Sequence, residues 1–155
     1  MRILVAFDGS PSSEAAVNEV IARPWPEGSE VRLITVVERP APVPAPNGIE
    51  IYAPLLERMR SSVREEAYHR ILAALERVKA RADLEASYEL RDGSVKHALL
   101  DAIREWKADL VVAGSHGTSG IARVFLGSVC HALVTSAPCN VEVVKGGNSH
   151  NGRAA

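Results

Sequence analysis

Apolar residues follow two alternating patterns along this chain. Continuous or loosely alternating apolar runs predict strands at residues 2–7, 31–37, 84–90, 109–113 and 141–144. Between these runs, apolar residues recur every three or four positions, which predicts helices over residues 11–23, 55–82, 95–107 and 128–136. Strand and helix therefore alternate from the first apolar run to the last.

This alternation predicts the fold class. Strands that alternate with helices form a parallel sheet with helices on both faces, joined by right-handed crossovers. We therefore expect an α/β, single-domain, doubly wound Rossmann-like sandwich with a five-stranded, mostly parallel sheet. A chain of 155 residues suits one hydrophobic core. We expect the domain to occupy residues 1–145 and the polar residues 146–155 to form a flexible C-terminal tail.

Local signals refine three segments. Ser10 and Pro11 are typical of the N-cap and the first position of a helix. Charged residues separate the apolar positions of the long helix over 55–82, and we interpret them as a solvated face. The proline-rich segment 39–54 interrupts the pattern, and we expect an extended or mobile excursion that covers a ligand or contacts a partner.

Composition and charge exclude several classes of function. The formal net charge is −1, so no electrostatic argument favours nucleic acid or an acidic membrane as a partner. No segment approaches the roughly 18 apolar residues that a membrane span requires, and we expect a cytoplasmic protein. The cysteines, Cys130 and Cys139, lack the spacing of a zinc site, so we interpret them as reduced thiols.

The segment after the fourth predicted strand carries the clearest functional signal. Gly114 and Gly117 follow the strand, and Gly127 and Ser128 precede the next helix. A strand, a glycine-rich loop and a helix together present backbone N–H groups to a phosphate. The loop contains no lysine, so it is not a Walker A motif, and it lacks the Gly-x-Gly-x-x-Gly pattern. A glycine-rich surface loop without a ligand is the alternative interpretation.

Ligands of doubly wound sheets bind at the carboxyl ends of the strands, where the winding reverses. Asp8 follows the first strand and is expected beside the fourth, where its carboxylate accepts hydrogen bonds from ribose hydroxyls, takes part in metal binding, or only forms a turn or a helix cap. The backbone of Val36 offers hydrogen bonds to an adenine edge. Gly114 and Gly117 can take positive φ and let the backbone come close to a phosphate, and at His116 we expect the backbone to matter more than the imidazole. Filling the phosphate space by Gly127→Val is expected to abolish nucleotide binding.

These residues resemble the nucleotide-binding pattern of the universal stress protein family. The resemblance lies in Gly114-x-x-Gly117, nine further residues and Gly127-Ser128, and it extends to residues 3–10 and 136–144. It implies an ATP-binding member and a homodimer paired through residues 141–145, with Mg²⁺ or Mn²⁺ accompanying the phosphates. Two residues depart from the pattern: Ala6 stands where some ATP-binding members have proline, and Cys130 stands where threonine is frequent. The site residues that we predict are Ala6, Asp8, Val36, Ala113, Gly114, Ser115, His116, Gly117, Gly127, Ser128 and Val129.

Three functions remain open at this point. The first is a regulatory or stress-response module that holds ATP, hydrolyses it slowly or not at all, has no catalytic residue and signals to an unknown protein partner. The second is an ATPase or nucleotidyl transferase of the related adenine-nucleotide superfamily, which would need positioned cations and an oriented nucleophile. The third is a phosphoacceptor receiver domain built on Asp8, Asp92 and Lys145, which the glycine loop and the long second helix disfavour.

Overall fold

Strands and helices alternate along the chain as the apolar pattern predicts. The structure is a computed structural model that describes residues 1–38, 53–117 and 126–146. The strands are β1 (Arg2–Ala6), β2 (Ser29–Val37), β3 (Leu84–Asp92), β4 (Leu110–Gly114) and β5 (Asn140–Val144). The helices are α1 (Pro11–Ala22), α2 (Ala53–Lys79), α3 (Val95–Trp106) and α4 (Ser128–Ser136).

The strands form one sheet in the order β3-β2-β1-β4-β5. Each pair of neighbouring strands is parallel, so the predicted doubly wound α/β fold is confirmed. The chain winds from β1 outward to β3 and then returns to the other side of β1, where Ala6 lies beside Ala113. The winding therefore reverses between β1 and β4, and the loops that follow these two strands leave the same edge of the sheet side by side.

Two hydrophobic cores lie on opposite faces of the sheet, because side chains alternate along each strand. Ile3 and Val5 of β1 point toward α1 and α2, and Leu4 between them points toward α3 and α4. The core under α1 and α2 contains Val17, Val20, Ile71, Leu75 and Val78. The core under α3 and α4 contains Leu99, Ala102, Ile103, Cys130 and Leu133.

The ends of the helices agree with the sequence in part. Ser10 caps α1 as predicted, since its hydroxyl accepts the Ser13 N–H at 3.2 Å. Helix α2 begins at Ala53 and ends at Lys79, so it does not span 55–82. Arg81 ends it in a tight turn, with its N–H donating to the Val78 carbonyl at 3.0 Å, and β3 starts at Leu84.

Helix α3 ends on a feature that the sequence did not indicate. Lys107 caps it in the left-handed conformation, with φ of 54°, a region that glycine usually occupies. Within the described part of the chain, no helix combines the length and the apolar character that crossing a bilayer requires. Most of the proline-rich segment 39–54 and the expected tail beyond residue 146 lie outside the described residues.

Candidate functional site

A cavity of about 500 Å³ opens at the carboxyl ends of β1, β2 and β4. Its volume falls in the range of small-molecule sites, and it lies at the point where the winding of the sheet reverses. The residues predicted from the sequence all line it: Ala6, Asp8, Val36, Ala113, Gly114, Ser115, His116, Gly117, Gly127, Ser128 and Val129.

Asp8 links the loop after β1 to the loop after β4. One carboxylate oxygen, Oδ1, accepts the N–H of Ser10 at 2.9 Å, so Asp8 does form a turn. The other oxygen, Oδ2, lies 3.0 Å from the point where a Cβ on Gly117 would stand. The carboxylate therefore shapes the turn and also faces the cavity beside the glycine loop.

Hydrogen bonds join the backbone of the loop after β4 to serine hydroxyls at the N-terminus of α1. The Ser12 hydroxyl donates to the His116 carbonyl oxygen, and the Ser10 hydroxyl donates to the same oxygen at 3.3 Å. The His116 N–H donates to Ser12 Oγ at 3.4 Å. The imidazole has a local contact, with Nδ1 at 2.9 Å from Ser115 Oγ. The contacts with α1 therefore depend on the His116 backbone.

Gly114 and Gly117 do not use the positive φ that glycine allows. Among the described glycines, positive φ occurs at Gly9, Gly28 and Gly93. Gly114 is needed for a different reason, because a Cβ there would stand 2.5 Å from the Ser12 carbonyl carbon. The end of β4 can pack this closely against α1 because its last residue, Gly114, has no side chain.

The N-terminus of α4 forms the second side of the loop. Gly127 is its N-cap and provides no side-chain cap, while the Gly127 N–H donates to the Ser115 carbonyl at 3.0 Å. Ser128, Val129 and Cys130 of the first turn line the cavity. The first N–H groups of a helix have no partner within the helix and favour an anion. This end of α4 is therefore suited to bind a negatively charged group.

The geometry at Gly127 revises the expected effect of Gly127→Val. A Cβ there would stand 3.1 Å from the Ser115 carbonyl oxygen and 3.6 Å from His116 Cα. The added side chain would press on the backbone of the loop, whereas the sequence suggested that it would fill empty phosphate space.

Cys130 lies beneath this loop as a buried thiol. Its Sγ donates to the Gly114 carbonyl oxygen at 2.8 Å. Burial raises the pKa of the Cys130 thiol, and the nearby Asp8 carboxylate adds to the increase. Neither Cys130 nor Cys139 forms a disulfide, as expected from the sequence. Cys130 therefore acts as a protonated donor to the backbone of the loop.

An apolar wall closes the cavity on the β2 side. The Phe7 N–H donates to the Ile34 carbonyl at 2.9 Å, so the backbone of Ile34 points toward β1. Hydrogen-bonding directions alternate along a strand in a parallel sheet, and the backbone of Val36 therefore points the same way. Because β1 has ended at Ala6, the Val36 backbone faces the cavity that the residue lines.

Val95 and Leu99 of α3 complete this wall, and the sequence did not identify them. Their apolar spacing is that of an ordinary core helix. Only the packing of α3 against the sheet brings them to the end of β2.

Helix α2 also contributes to the lining of the cavity, and its charged residues Glu66 and Arg70 do so while exposed to solvent, as the sequence predicts. Val63, Glu66, Ala67 and Arg70 line the cavity. Nothing in the periodicity distinguishes these positions from the rest of the helix. They reach the cavity because the N-terminal half of α2 extends beyond the end of the strands, where Val63 is 53% exposed.

The described residues do not by themselves build a metal site. Within residues 1–38, 53–117 and 126–146, no group of three or more histidine, cysteine, aspartate or glutamate side chains converges to hold an ion. A divalent ion at this site would need most of its ligands from a bound phosphate and from water, which is the usual coordination of Mg²⁺.

Comparison with known proteins identifies relatives over nearly the whole chain. The universal stress protein family matches residues 1–145. A universal stress protein of Thermus aquaticus is 30% identical over 148 residues, which is 92% of this chain and 97% of the relative. The universal stress protein YxiE of Bacillus subtilis is 28% identical over 147 residues, or 93% of this chain and 98% of the relative.

Solved structures show the same fold. The universal stress protein UspA of Lactobacillus plantarum superposes with a TM-score of 0.80 at 26% identity, covering 93% of this chain and 97% of that one. A universal stress protein in complex with cAMP gives a TM-score of 0.58 at 24% identity, covering 95% and 98%. An Arabidopsis thaliana family member with AMP bound gives 0.63 at 13% identity, covering 99% and 97%. This chain belongs to the universal stress protein family.

Proposed function

We propose that this protein binds an adenine nucleotide in the cavity, with ATP as the ligand, and holds it as a regulatory or stress-response module that hydrolyses it slowly or not at all. The observation that carries the proposal is the meeting of the glycine loop and the N-terminus of α4 at the point where the sheet changes winding. A phosphate-binding end and an apolar end thereby share one cavity.

The phosphate-binding end is formed by backbone groups. Gly114, Ser115 and Gly117 line one side, and Gly127 and Ser128 line the other. Backbone N–H groups at a loop and at a helix N-terminus favour an anion without a lysine. Cys130 stands where threonine is frequent in the family, and its thiol donates to the Gly114 carbonyl oxygen. The phosphates are therefore bound by backbone N–H groups and by the Ser128 hydroxyl.

The adenosine end is formed by apolar side chains and one strand backbone. Val36, Val95 and Leu99 offer the apolar surface that an adenine ring prefers, with Ala6 and Ala113 below it. The N–H and C=O of Val36 are suited to pair with the edge of the base. The Asp8 carboxylate is positioned to accept hydrogen bonds from ribose hydroxyls.

Two solved structures support an adenine nucleotide as the ligand class. One family member is described in complex with cAMP and another with AMP bound. The choice of ATP rests on the family resemblance, since ATP-binding members carry the glycine pattern seen here at Gly114, Gly117 and Gly127-Ser128.

Slow hydrolysis follows from the groups that line the cavity. Phosphoryl transfer needs positioned cations and an oriented nucleophile. The described lining contains no lysine, one arginine (Arg70, which is paired with Glu66) and three carboxylates, those of Asp8, Glu38 and Glu66, and no described group there is placed to orient a nucleophile. An ATPase or nucleotidyl transferase is the second candidate, and release of phosphate at about 1 s⁻¹ or faster would favour it.

The wider setting of this function is proposed on the family resemblance. β5 lies at an edge of the sheet, where an exposed strand can pair with a second copy. We expect a cytoplasmic homodimer that pairs through residues 141–145, with the domain over residues 1–145 and a flexible tail over 146–155. We also expect Mg²⁺ or Mn²⁺ on the phosphates and a regulatory protein that recognises the bound state.

Native mass spectrometry of the purified chain tests the proposal directly. The expected result is a dimer that carries one adenine nucleotide per chain, whose mass gives the number of phosphates. Calorimetric titration of nucleotide-free protein with ATP, AMP and GTP then gives affinity and base preference. The absence of binding by all three nucleotides would overturn the proposed function.

A further inference from the structure

Arg70 is a charged residue of the cavity that lies outside every motif in the sequence. It lies on α2, and it is the one lysine or arginine among the described residues that line the cavity. The carboxylates of Asp8, Glu38 and Glu66 line the same space. Among the described residues, a polyanionic ligand entering this cavity therefore meets one guanidinium and three carboxylates.

The position of Arg70 is set by its contact with the turn after β1. Its Cδ lies 3.0 Å from the point where a Cβ on Gly9 would stand, and its Nη1 lies 3.4 Å from that point. The absence of a side chain at Gly9, which has φ of 77°, lets the arginine lie across the turn. The next residue back is Asp8, whose Oδ2 faces Gly117. The guanidinium is thereby held beside the place where the two loops meet.

Glu66 is the ion-pair partner of Arg70. The Nη2 of Arg70 donates to Oε1 of Glu66, one turn earlier on the same helix. The side chains are 50% and 62% exposed, so the pair is well solvated. Such an i,i+4 pair contributes little free energy and separates readily.

Resting on the proposed function, we infer that Arg70 binds a phosphate of the nucleotide and exchanges its ion pair with Glu66 for that contact. Arginine suits this role because its planar fork matches phosphate oxygens, and a charge-assisted hydrogen bond is stronger than a neutral one. The ligand class is a nucleoside phosphate, since adenosine alone presents no anion to the guanidinium. Glu66 competes with the ligand for the same group.

The two members of the pair therefore affect binding in opposite directions. Arg70→Met keeps the aliphatic stem across Gly9 and removes the charge, and we expect ATP to bind about tenfold more weakly. Adenosine should bind to this variant as it does to the unchanged protein. Glu66→Gln frees the guanidinium and removes one carboxylate from the cavity, so ATP should bind about twofold more tightly.

Arg77→Met is the matched control. Arg77 lies on the same helix, but its guanidinium contacts Glu14 and Asn18 and does not line the cavity. The four proteins are titrated with ATP, AMP and adenosine by calorimetry at two salt concentrations. The inference predicts weaker ATP binding and a smaller salt dependence for Arg70→Met alone, and normal binding by Arg77→Met.

Two results would overturn the role of Arg70 while the proposed function stands. The first is unchanged ATP affinity in Arg70→Met when the unchanged protein binds ATP. The second is an equal loss for ATP and adenosine, which would show that Arg70 supports the base or the turn and not a phosphate. Failure of the unchanged protein to bind any nucleotide would instead overturn both proposals. Thermal unfolding of each variant confirms that the fold is retained.

Discussion

The Ser12 hydroxyl donates a hydrogen bond to the carbonyl oxygen of His116, which ties the first turn of α1 to the loop after β4. Ser12 is 6% exposed, and its backbone lies against Gly114. The loop after β4, which carries the proposed phosphate site, is thus held in place by α1, the helix that follows β1. Several consequences of this arrangement can be measured.

Ser12→Ala should weaken nucleotide binding without abolishing the fold. The substitution removes a hydrogen bond worth about 1 kcal/mol, which corresponds to roughly fivefold in affinity if the loop loses its position. Calorimetric titration with ATP measures the effect. Ser61→Ala, which removes an exposed hydroxyl on α2, is the control and should bind normally. Wild-type affinity in Ser12→Ala would show that the loop holds its shape without this bond.

Gly114→Ala should destabilise the fold. The added Cβ would stand within 2.7 Å of three backbone atoms of Ser12 and Ser13, and a helix backbone cannot rotate away as a side chain does. We expect a loss of roughly 1–3 kcal/mol in the free energy of unfolding, measured by urea denaturation.

Gly28→Ala is the control for Gly114→Ala. Gly28 has open space around its Cβ position and a positive φ, so its cost of about 1 kcal/mol should come from backbone conformation alone. A Gly114 variant as stable as the wild type would contradict the close approach of β4 and α1.

Gly127→Val should weaken nucleotide binding through the loop backbone. The branched side chain meets the Ser115 carbonyl and displaces residues that line the cavity. We expect ATP binding to fall below calorimetric detection, with a smaller loss for Gly127→Ala. Circular dichroism of both variants should show the wild-type helix content. Full ATP affinity in Gly127→Val would refute the assignment of the phosphate site to this end of α4.

The stability of the fold should fall at alkaline pH through the cysteine thiols. Burial raises the pKa of Cys130, and burial likewise raises the pKa of Cys139. In the unfolded chain a thiol ionises near pH 8.5, so above that pH the unfolded state loses protons that the folded state retains. Stability is therefore fully present below about pH 8.5 and decreases as the pH rises toward the folded-state pKa.

Urea denaturation at pH 7.5 and pH 9.5 measures this decrease. A Cys130→Ser variant should be less stable at both values but should show a smaller difference between them. An identical difference in the variant and the wild type would show that Cys130 does not contribute to the alkaline loss.

The sequence by itself determined the elements, their alternation and the candidate site of this protein. Apolar periodicity and helix caps are local properties, so they predict strands, helices and a cap such as Ser10 without knowledge of the fold. The parallel sheet then follows from alternation, and the reversal of winding brings Asp8 beside the glycine loop. For the same reason all the predicted site residues line one cavity.

Only the tertiary structure decided why Gly114 is a glycine and which distant residues enter the cavity. The need for glycine arises from the distance to Ser12, over a hundred positions earlier, which no local pattern records. Val95, Leu99 and Arg70 reach the cavity because α3 and α2 pack across the ends of the strands. How far a helix extends beyond the end of the strands depends on packing between elements. The apolar periodicity of the helix is the same before and after that point, so the sequence alone does not reveal it.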